Sequence, residues 1–389
     1  MKIITIVGAR PQFIKLAPLS RLIKQEKDIR QVLVHSGQHF DQKMSENFFD
    51  QLGLPEPDYH LGIKGLSHGA MVGRMTEALE KVIHKEQPDW VMVFGDTNTT
   101  LAGALASAKL RHPVVHIEAG VRSYRRKTPE ETNRVLTDHI STLLFCPTIN
   151  AVHQLEKEGF SNIFRAGQKA TRSSISDSKS LSASQDEPLV VNVGDIMYEG
   201  FSEMETDTAD AGQLLDKLKL VSGKFALATV HRAENTDEIE NLRNIMIALA
   251  ELSRVLPVLL PLHPRTRKIL SRQEWCSELQ SEKGLNIIEP ISYLDFICLE
   301  RHAKIILTDS GGVQKEAYFV GTPCITLRNE TEWPETIESG WARLVGSDRE
   351  AIVDAALNFE LPSLSKSSLY GDGNSSRLIL DILQYSSKY

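Results

Sequence analysis

Alternation constrains this chain most. A short apolar run, a polar turn and a stretch with helical apolar spacing follow one another repeatedly. Ile3–Val7 leads into a helix from about Pro11, which would sit at its first position. Gln31–His35 ends in Ser36-Gly37-Gln38-His39, Trp90–Phe94 ends in Gly95-Asp96-Thr97, and Pro113–Ile117 ends in Glu118-Ala119-Gly120. Segments between them, such as His68–Glu86, carry apolar residues at helical spacing. Strands alternating with helices at this length predict an α/β chain with parallel, doubly wound sheets.

The pattern breaks at Thr171–Ser184, which holds seven serines in fourteen residues. Such a composition builds no core and predicts an exposed insertion, spanning about 168–187. Alternation then restarts with strands expected at Ala226–Val230, Val258–Leu262, Asn286–Ile288, Ile305–Thr308 and Cys324–Leu327. The 389 residues fit two domains at roughly 150 residues each. We expect Rossmann-like domains over 1–200 and 201–372, and a C-terminal helix over 373–389 packing back on the first. Ligands of open parallel sheets bind beyond the strands' carboxyl ends. Two such sheets facing one another would make an interdomain cleft with the polar turns converging on it.

Composition narrows the partners. The net charge of −7 gives no general attraction to nucleic acid or to an anionic membrane. No apolar run reaches the length of a membrane span. The four cysteines are scattered, and the twelve histidines lack zinc-site spacing, so neither metal nor disulfide is expected and a reduced cytoplasmic enzyme is the plain reading. Gly8-Ala9-Arg10-Pro11 lacks the Gly-x-Gly-x-x-Gly fingerprint, and the second strand ends without an acid for a ribose, which argues against NAD.

The strand ends carry the chemistry. Ser310-Gly311-Gly312 after Ile305–Thr308 opens backbone N–H groups at a helix start, an arrangement suited to phosphate. Glu316 follows in the early turns, where a carboxylate accepts from ribose hydroxyls. Arg10 and Lys15 place positive charge at the first strand end, and His231 lies at the equivalent place in the second half. Asp96 and Glu118 end apolar strands, where desolvation is costly without a partner. Glu130 and Glu131 follow Pro129, a good helix start; for Glu131 alone the helix-dipole role suffices. Carboxylates converging in one site raise one another's pKa, which suits proton transfer. His263–Lys268 is a basic loop with a structural or peripheral role.

Taken together, Gly8-Ala9-Arg10-Pro11-Gln12, Gly37-Gln38-His39, Gly95-Asp96-Thr97, His116–Ser123, Pro129–Arg134, His231–Asn235 and Thr308–Gly312 resemble the non-hydrolysing UDP-N-acetylglucosamine 2-epimerase family. The resemblance runs from about residue 1 to 385. It implies a glycosyltransferase-B-like fold with the active site in the interdomain cleft, no cofactor, no metal, and a homodimer. It implies functional roles for Asp96, Glu118, Glu130 and His231, and substrate or UDP contacts for Arg10, Lys15, Gln38, His39, Arg134, Phe296, Ser310, Gly311, Gly312 and Glu316. Many relatives specific for N-acetylglucosamine carry arginine where Trp333 stands, so Trp333 removes a cation. Ile291 replaces a polar residue near the uracil. The segment Ser123-Tyr124-Arg125-Arg126-Lys127 is short and basic.

These departures resemble the branch that epimerises UDP-2,3-diacetamido-2,3-dideoxy-D-glucuronate for bacterial O-antigen (lipopolysaccharide). The C5 carboxylate of that substrate requires a cation, for which Arg122, Arg126 and Lys127 are the candidates. UDP-N-acetylglucosamine is the alternative substrate. A hydrolysing epimerase or a glycosyltransferase of the same fold is a more distant alternative.

Overall fold

The computed structural model describes all residues except 39–48, 50, 51, 165–181, 205–210, 277–281, 363–367 and 387–389. His39 and most of the serine-rich stretch lie outside the described residues. The chain divides into two units, Met1–Glu203 with Ser368–Tyr389, and Met204–Ser367.

In unit 1 the order is β1 (Lys2–Val7), α1 (Arg10–Gln25), β2 (Arg30–His35), β3 (Tyr59–His60), α2 (His68–Glu86), β4 (Trp90–Phe94), α3 (Asn98–Lys109), β5 (Val114–Ile117), α4 (Pro129–His139), β6 (Leu143–Cys146), α5 (Ile149–Lys157), β7 (Ile163–Phe164), β8 (Leu189–Asn192) and α6 (Ile196–Met204). The strands form an eight-stranded sheet ordered β3-β2-β1-β4-β5-β6-β8-β7. Every described pairing in it is parallel. Helices on both faces explain why β4 (Trp-Val-Met-Val-Phe) is apolar throughout rather than alternating, and all five residues are buried. The sequence pattern named only four of these strands. Leu143–Cys146 and Leu189–Asn192 escaped it because four-residue runs against a helix carry too little periodicity.

Unit 2 contains α7 (Ala211–Leu218), β9 (Ala226–Thr229), α8 (Ala233–Thr236), α9 (Ile239–Ser253), β10 (Val258–Pro261), α10 (Pro264–Leu270), β11 (Leu285–Ile288), α11 (Tyr293–His302), β12 (Ile305–Thr308), α12 (Gly311–Val320), β13 (Cys324–Thr326), α13 (Pro334–Glu338), β14 (Ala342–Leu344) and α14 (Arg349–Leu357). Its six-stranded parallel sheet runs β11-β10-β9-β12-β13-β14. Leu242, Ile245, Met246 and Leu249 of α9 pack on Val258, Leu260, Leu307 and Ile325 to form its larger core. The last helix, α15 (Ser375–Ser386), belongs to unit 1. Ser376 N–H donates to Glu199 of α6 at 2.8 Å, and Arg377 pairs with Glu26 at 3.0 Å.

Strand order locates the ligand ends. In unit 1 the order reverses between β1 and β4, whose carboxyl ends carry Gly8–Arg10 and Gly95-Asp96. In unit 2 it reverses between β9 and β12, whose ends carry Val230–Arg232 and Asp309–Gly312. Doubly wound sheets bind their ligands at these reversal points.

Candidate active site

The turn after β1 is built for close approach. A Cβ on Gly8 would lie 2.0 Å from Ser36 Oγ and 2.5 Å from Thr99 Oγ1, so only glycine fits. Buried Gln12 fastens this turn to the next strand. Its Oε1 accepts from the N–H groups of Gly8 (2.8 Å) and Ala9 (3.0 Å), and its Nε2 donates to the Phe94 carbonyl at 2.9 Å. Arg10 is exposed as the first residue of α1, and Pro11 occupies the second position rather than the first. Pro11 is still in the turn whose N–H groups lack helical partners.

Lys15 does not stand as a separate cation for UDP. It is buried, and its ammonium forms an ion pair with Glu118. Glu118 adopts φ +72°, a left-handed conformation that is strained for a side chain of this size and is typical of functional turns. Gly95, at φ +63°, faces the pair: a Cβ there would come within 3.2 Å of both Glu118 Oε1 and Lys15 Nζ.

Asp96 follows Gly95 and is half-buried. Its Oδ2 accepts from Arg134 Nη1 at 2.6 Å, and Asn133 Nδ2 donates to its backbone carbonyl at 2.9 Å. Burial raises the Asp96 pKa; Arg134 and Lys15 oppose the rise, while Glu130 and Glu118 add to it. Asp96, Glu118, Glu130, Lys15 and Arg134 therefore share one electrostatic site. Glu131 lies outside it and is buried. It accepts from Ser123 N–H (3.0 Å), Tyr124 N–H (2.8 Å) and Arg134 Nε (3.1 Å), which ties the preceding loop to α4.

Two other candidate residues already have partners within the chain. Gln38 spends its Oε1 on the N–H (3.0 Å) and hydroxyl (2.8 Å) of Thr99, at the start of α3. It fastens a helix start instead of presenting that oxygen to a ligand. Arg122 is buried, with Nε and Nη2 on Glu158 at 2.7 Å each and Nη1 2.7 Å from Asp138, so its charge is already matched by two acids. Arg126 and Lys127 are exposed. Arg126 lines a cavity of about 310 Å³ together with Arg122, Tyr124, Glu131, Val135 and Lys157.

In unit 2, buried Asp309 organises the first turn. Its carboxylate accepts from the N–H groups of His231 (3.0 Å) and Arg232 (3.0 Å) and from Asn235 Nδ2 (3.1 Å). His231 Nδ1 lies 3.7 Å from Asp309, and the His231 ring is one-third exposed. Ser310 is the residue before α12, and its side chain makes no capping hydrogen bond. The first-turn N–H groups of Gly311 and Gly312 are therefore not covered by it. A Cβ on Gly311 would face Glu332 Oε2 at 3.4 Å, Trp333 Nε1 at 3.6 Å and Arg232 Nη2 at 3.7 Å.

Glu316 is buried and accepts from the Tyr293 hydroxyl at 2.5 Å. Phe296 is half-buried against the apolar cluster that includes Leu299 and Val313. The replacement of arginine by Trp333 does not empty the region of positive charge. Lys315 Nζ lies 4.0 Å from the centre of the Trp333 ring, a cation–π contact, and buried Arg328 bridges Glu234 (2.6 Å) and Glu332 (2.8 Å). The basic loop at His263 is ion-paired at the surface, Arg265 with Asp237 and Arg267 with Glu289.

Each unit thus offers a strand-reversal site, acids in one and donors in the other. The family model for UDP-N-acetylglucosamine 2-epimerase matches residues 21–384. The chain belongs to the UDP-N-acetylglucosamine 2-epimerase family. It is 46% identical to a UDP-N-acetylglucosamine 2-epimerase homolog of Methanococcus maripaludis, with 99% of each chain covered. It is 45% identical to the UDP-2,3-diacetamido-2,3-dideoxy-D-glucuronate 2-epimerase of Pseudomonas aeruginosa, covering 98% of this chain and 99% of that one. Among solved structures, the UDP-GlcNAc 2-epimerase of Methanocaldococcus jannaschii in complex with UDP-GlcNAc and UDP superposes with a TM-score of 0.85 at 38% identity, over 99% of this chain and all of that one. The fold is glycosyltransferase-B-like, and the protein is an isomerase of UDP-sugars.

No helix among the described residues is long and apolar enough to cross a membrane.

Proposed function

We propose that this epimerase is non-hydrolysing and converts UDP-2,3-diacetamido-2,3-dideoxy-D-glucuronate to its manno epimer. The C2 proton has no adjacent carbonyl, so direct deprotonation is excluded near neutral pH. The C1–O bond breaks first, its electrons leave with UDP, and the C2 proton passes to a carboxylate. The resulting glycal-like enol ether is reprotonated at C2 from the other face, and a UDP oxygen returns to C1.

The observation that carries this chemistry is the acid site of unit 1. Three carboxylates share it, and two of them are held by Lys15 and Arg134. Asp96, with its raised pKa, is suited to holding a proton between the two halves of the reaction. Unit 2 supplies the binding function: His231 and the Ser310–Gly312 turn stabilise departing UDP, with Glu316 and Phe296 at the nucleoside.

For the substrate, support comes from the 45% identity to the diacetamido-uronate epimerase against 40% and 39% to the UDP-N-acetylglucosamine 2-epimerases of Methanococcus maripaludis and Methanocaldococcus jannaschii. The Trp333–Lys315 pair adds to it, standing where the family resemblance puts an arginine in many relatives specific for N-acetylglucosamine. The same reading includes a cytoplasmic homodimer supplying a surface polysaccharide.

Turnover of both UDP-sugars in D₂O tests the proposal. Deuterium at C2 with UDP still attached is the expected result, faster for the diacetamido-uronate. Release of free UDP and sugar would make the enzyme hydrolysing, and faster turnover of UDP-N-acetylglucosamine would reverse the substrate assignment.

A further inference from the structure

A buried group of charges lies against the segments that carry the three acids. Asp138, on α4, is fully buried. Its Oδ1 is 2.6 Å from His116 Nδ1, and its Oδ2 accepts from Arg122 Nη1 at 2.7 Å and from the Gly120 N–H at 3.1 Å. The second nitrogen of the His116 ring, Nε2, lies 2.8 Å from the carbonyl oxygen of Gly95. A carbonyl oxygen only accepts, so Nε2 carries a hydrogen.

Burial works against the Asp138 carboxylate, but His116 and Arg122 outweigh it and hold its pKa below the ordinary value. With Oδ2 occupied by the Arg122 and Gly120 donors, Oδ1 is the atom that meets Nδ1, so the ring bridges Asp138 and the Gly95 carbonyl. The neighbouring Cys146 thiol is pushed well up by burial and adds no charge.

The reach of this group sets it apart from an ordinary core histidine. Gly95 immediately precedes Asp96. Gly120 lies two residues after Glu118. Asp138 shares α4 with Glu130 and Arg134. Gly95 has no side chain of its own, and a Cβ there would crowd Glu118 Oε1 and Lys15 Nζ at 3.2 Å each, so the carbonyl is the handle by which its turn can be held.

We propose that His116 and Asp138 are positioning residues of the epimerase: the ring, hydrogen-bonded to the Gly95 carbonyl and to Asp138 together, fixes the spacing of the three acid-bearing segments. This rests on the reading that Asp96, Glu118 and Glu130 move the C2 proton.

The test compares the full-length wild type with His116→Gln and Asp138→Asn, well below their melting temperatures. Misplacing a catalytic group by about 1 Å costs up to 10²-fold. We expect kcat to fall about tenfold to a hundredfold, with KM and UDP affinity within about twofold. The acid limb of the kcat profile should also move to lower pH, because Asp96, now enclosed by Arg134, Glu130, Glu118 and Lys15, gains water. Selective ¹⁵N-histidine labelling reads the ring directly: the His116 Nε2–H signal should be present in the wild type and lost in His116→Gln.

A folded His116→Gln or Asp138→Asn enzyme with unchanged kcat overturns the proposal, as does a His116 ring without a hydrogen on Nε2. If His116→Gln does not fold, Asp138→Asn preserves side-chain volume and an acceptor and decides the matter. Asp96→Asn, assayed in parallel, separates the two levels. A normal rate there removes the acid assignment, whereas its loss beside a normal His116→Gln removes only the brace.

Discussion

The two units share a sheet design and load it oppositely. In unit 1 the strand ends present acids, each steadied by a cation: Glu118 by Lys15 and Asp96 by Arg134. In unit 2 the one acid in the equivalent turn, Asp309, is fully buried and spent on backbone N–H groups, so that the exposed side of the turn consists of His231, Arg232 and the start of α12. A sheet end lined with tethered acids suits proton traffic. A sheet end lined with donors suits a diphosphate. On the proposed function the same scaffold divides into a chemical half and a binding half, and each should be disabled by substitutions that spare the other.

The largest effect should come from the acids. Asp96→Asn, Glu118→Gln and Glu130→Gln are each expected to lower kcat by about 10²-fold or more. UDP affinity, measured by calorimetry, should stay within a few-fold. An acid whose replacement leaves turnover near normal leaves the proton-transfer set, and a parallel loss of UDP affinity would blur the division between the units.

The chemical half should also be the acid-sensitive one. His35, at the end of β2, is buried against Phe13, and burial, followed by repulsion from His60, lowers its pKa to about 4. An unfolded histidine titrates near 6.5. Between those values the unfolded state takes up a proton that the folded state refuses. Stability is therefore full above about pH 6.5 and falls as the pH drops toward 4, by roughly 3 kcal/mol. His35→Phe should flatten that slope in denaturant titrations at pH 7 and pH 4.5. An unchanged slope would show that other groups drive the acid loss.

On the binding half, Gly311 is the sharper target. A Cβ there meets its neighbours only at ordinary contact distances, so the unliganded fold should tolerate Gly311→Val with a small change in Tm. The branched side chain would still obstruct close approach of a phosphate to the N–H groups. UDP affinity is expected to fall about tenfold to a hundredfold. Unchanged affinity would move the phosphate site away from α12.

These contrasts show what the linear sequence disclosed. Apolar runs ending in Asp96, Glu118, His231 and Ser310 announced strands with chemistry at their carboxyl ends, because burial on both faces forces such runs. Partners were less legible. Lys15 and Glu118 lie 103 positions apart, and nothing local in α1 says that its lysine turns inward to an acid. Asp309 and Asp138 resemble ordinary turn and helix acids until burial shows that each collects several donors. Arg122 and Arg126 are four residues apart in one basic stretch, yet the first is locked into the core by Glu158 and Asp138 and the second is exposed.

That last difference decides where a uronate carboxylate would be met. With Arg122 committed to the core, Arg126 and Lys127 remain of the proposed set. The cavity that Arg126 lines is bounded by Glu131 and Val135, one face of α4. Glu130 and Arg134, which meet Asp96, occupy the adjoining face about 100° round the helix. Arg126 is thus turned toward the wrong side of α4 for the acids, and Lys127, closer in sequence to Glu130 and not part of that cavity, becomes the first candidate. Lys127→Ala should reduce kcat/KM for the diacetamido-uronate roughly tenfold, with Arg126→Ala closer to wild type. Neither should affect UDP-N-acetylglucosamine, which has no carboxylate to lose. Equal loss on both substrates would make Lys127 a general contact of the chemical half. A larger loss in Arg126→Ala than in Lys127→Ala would show that the carboxylate is met on the Glu131 face after all.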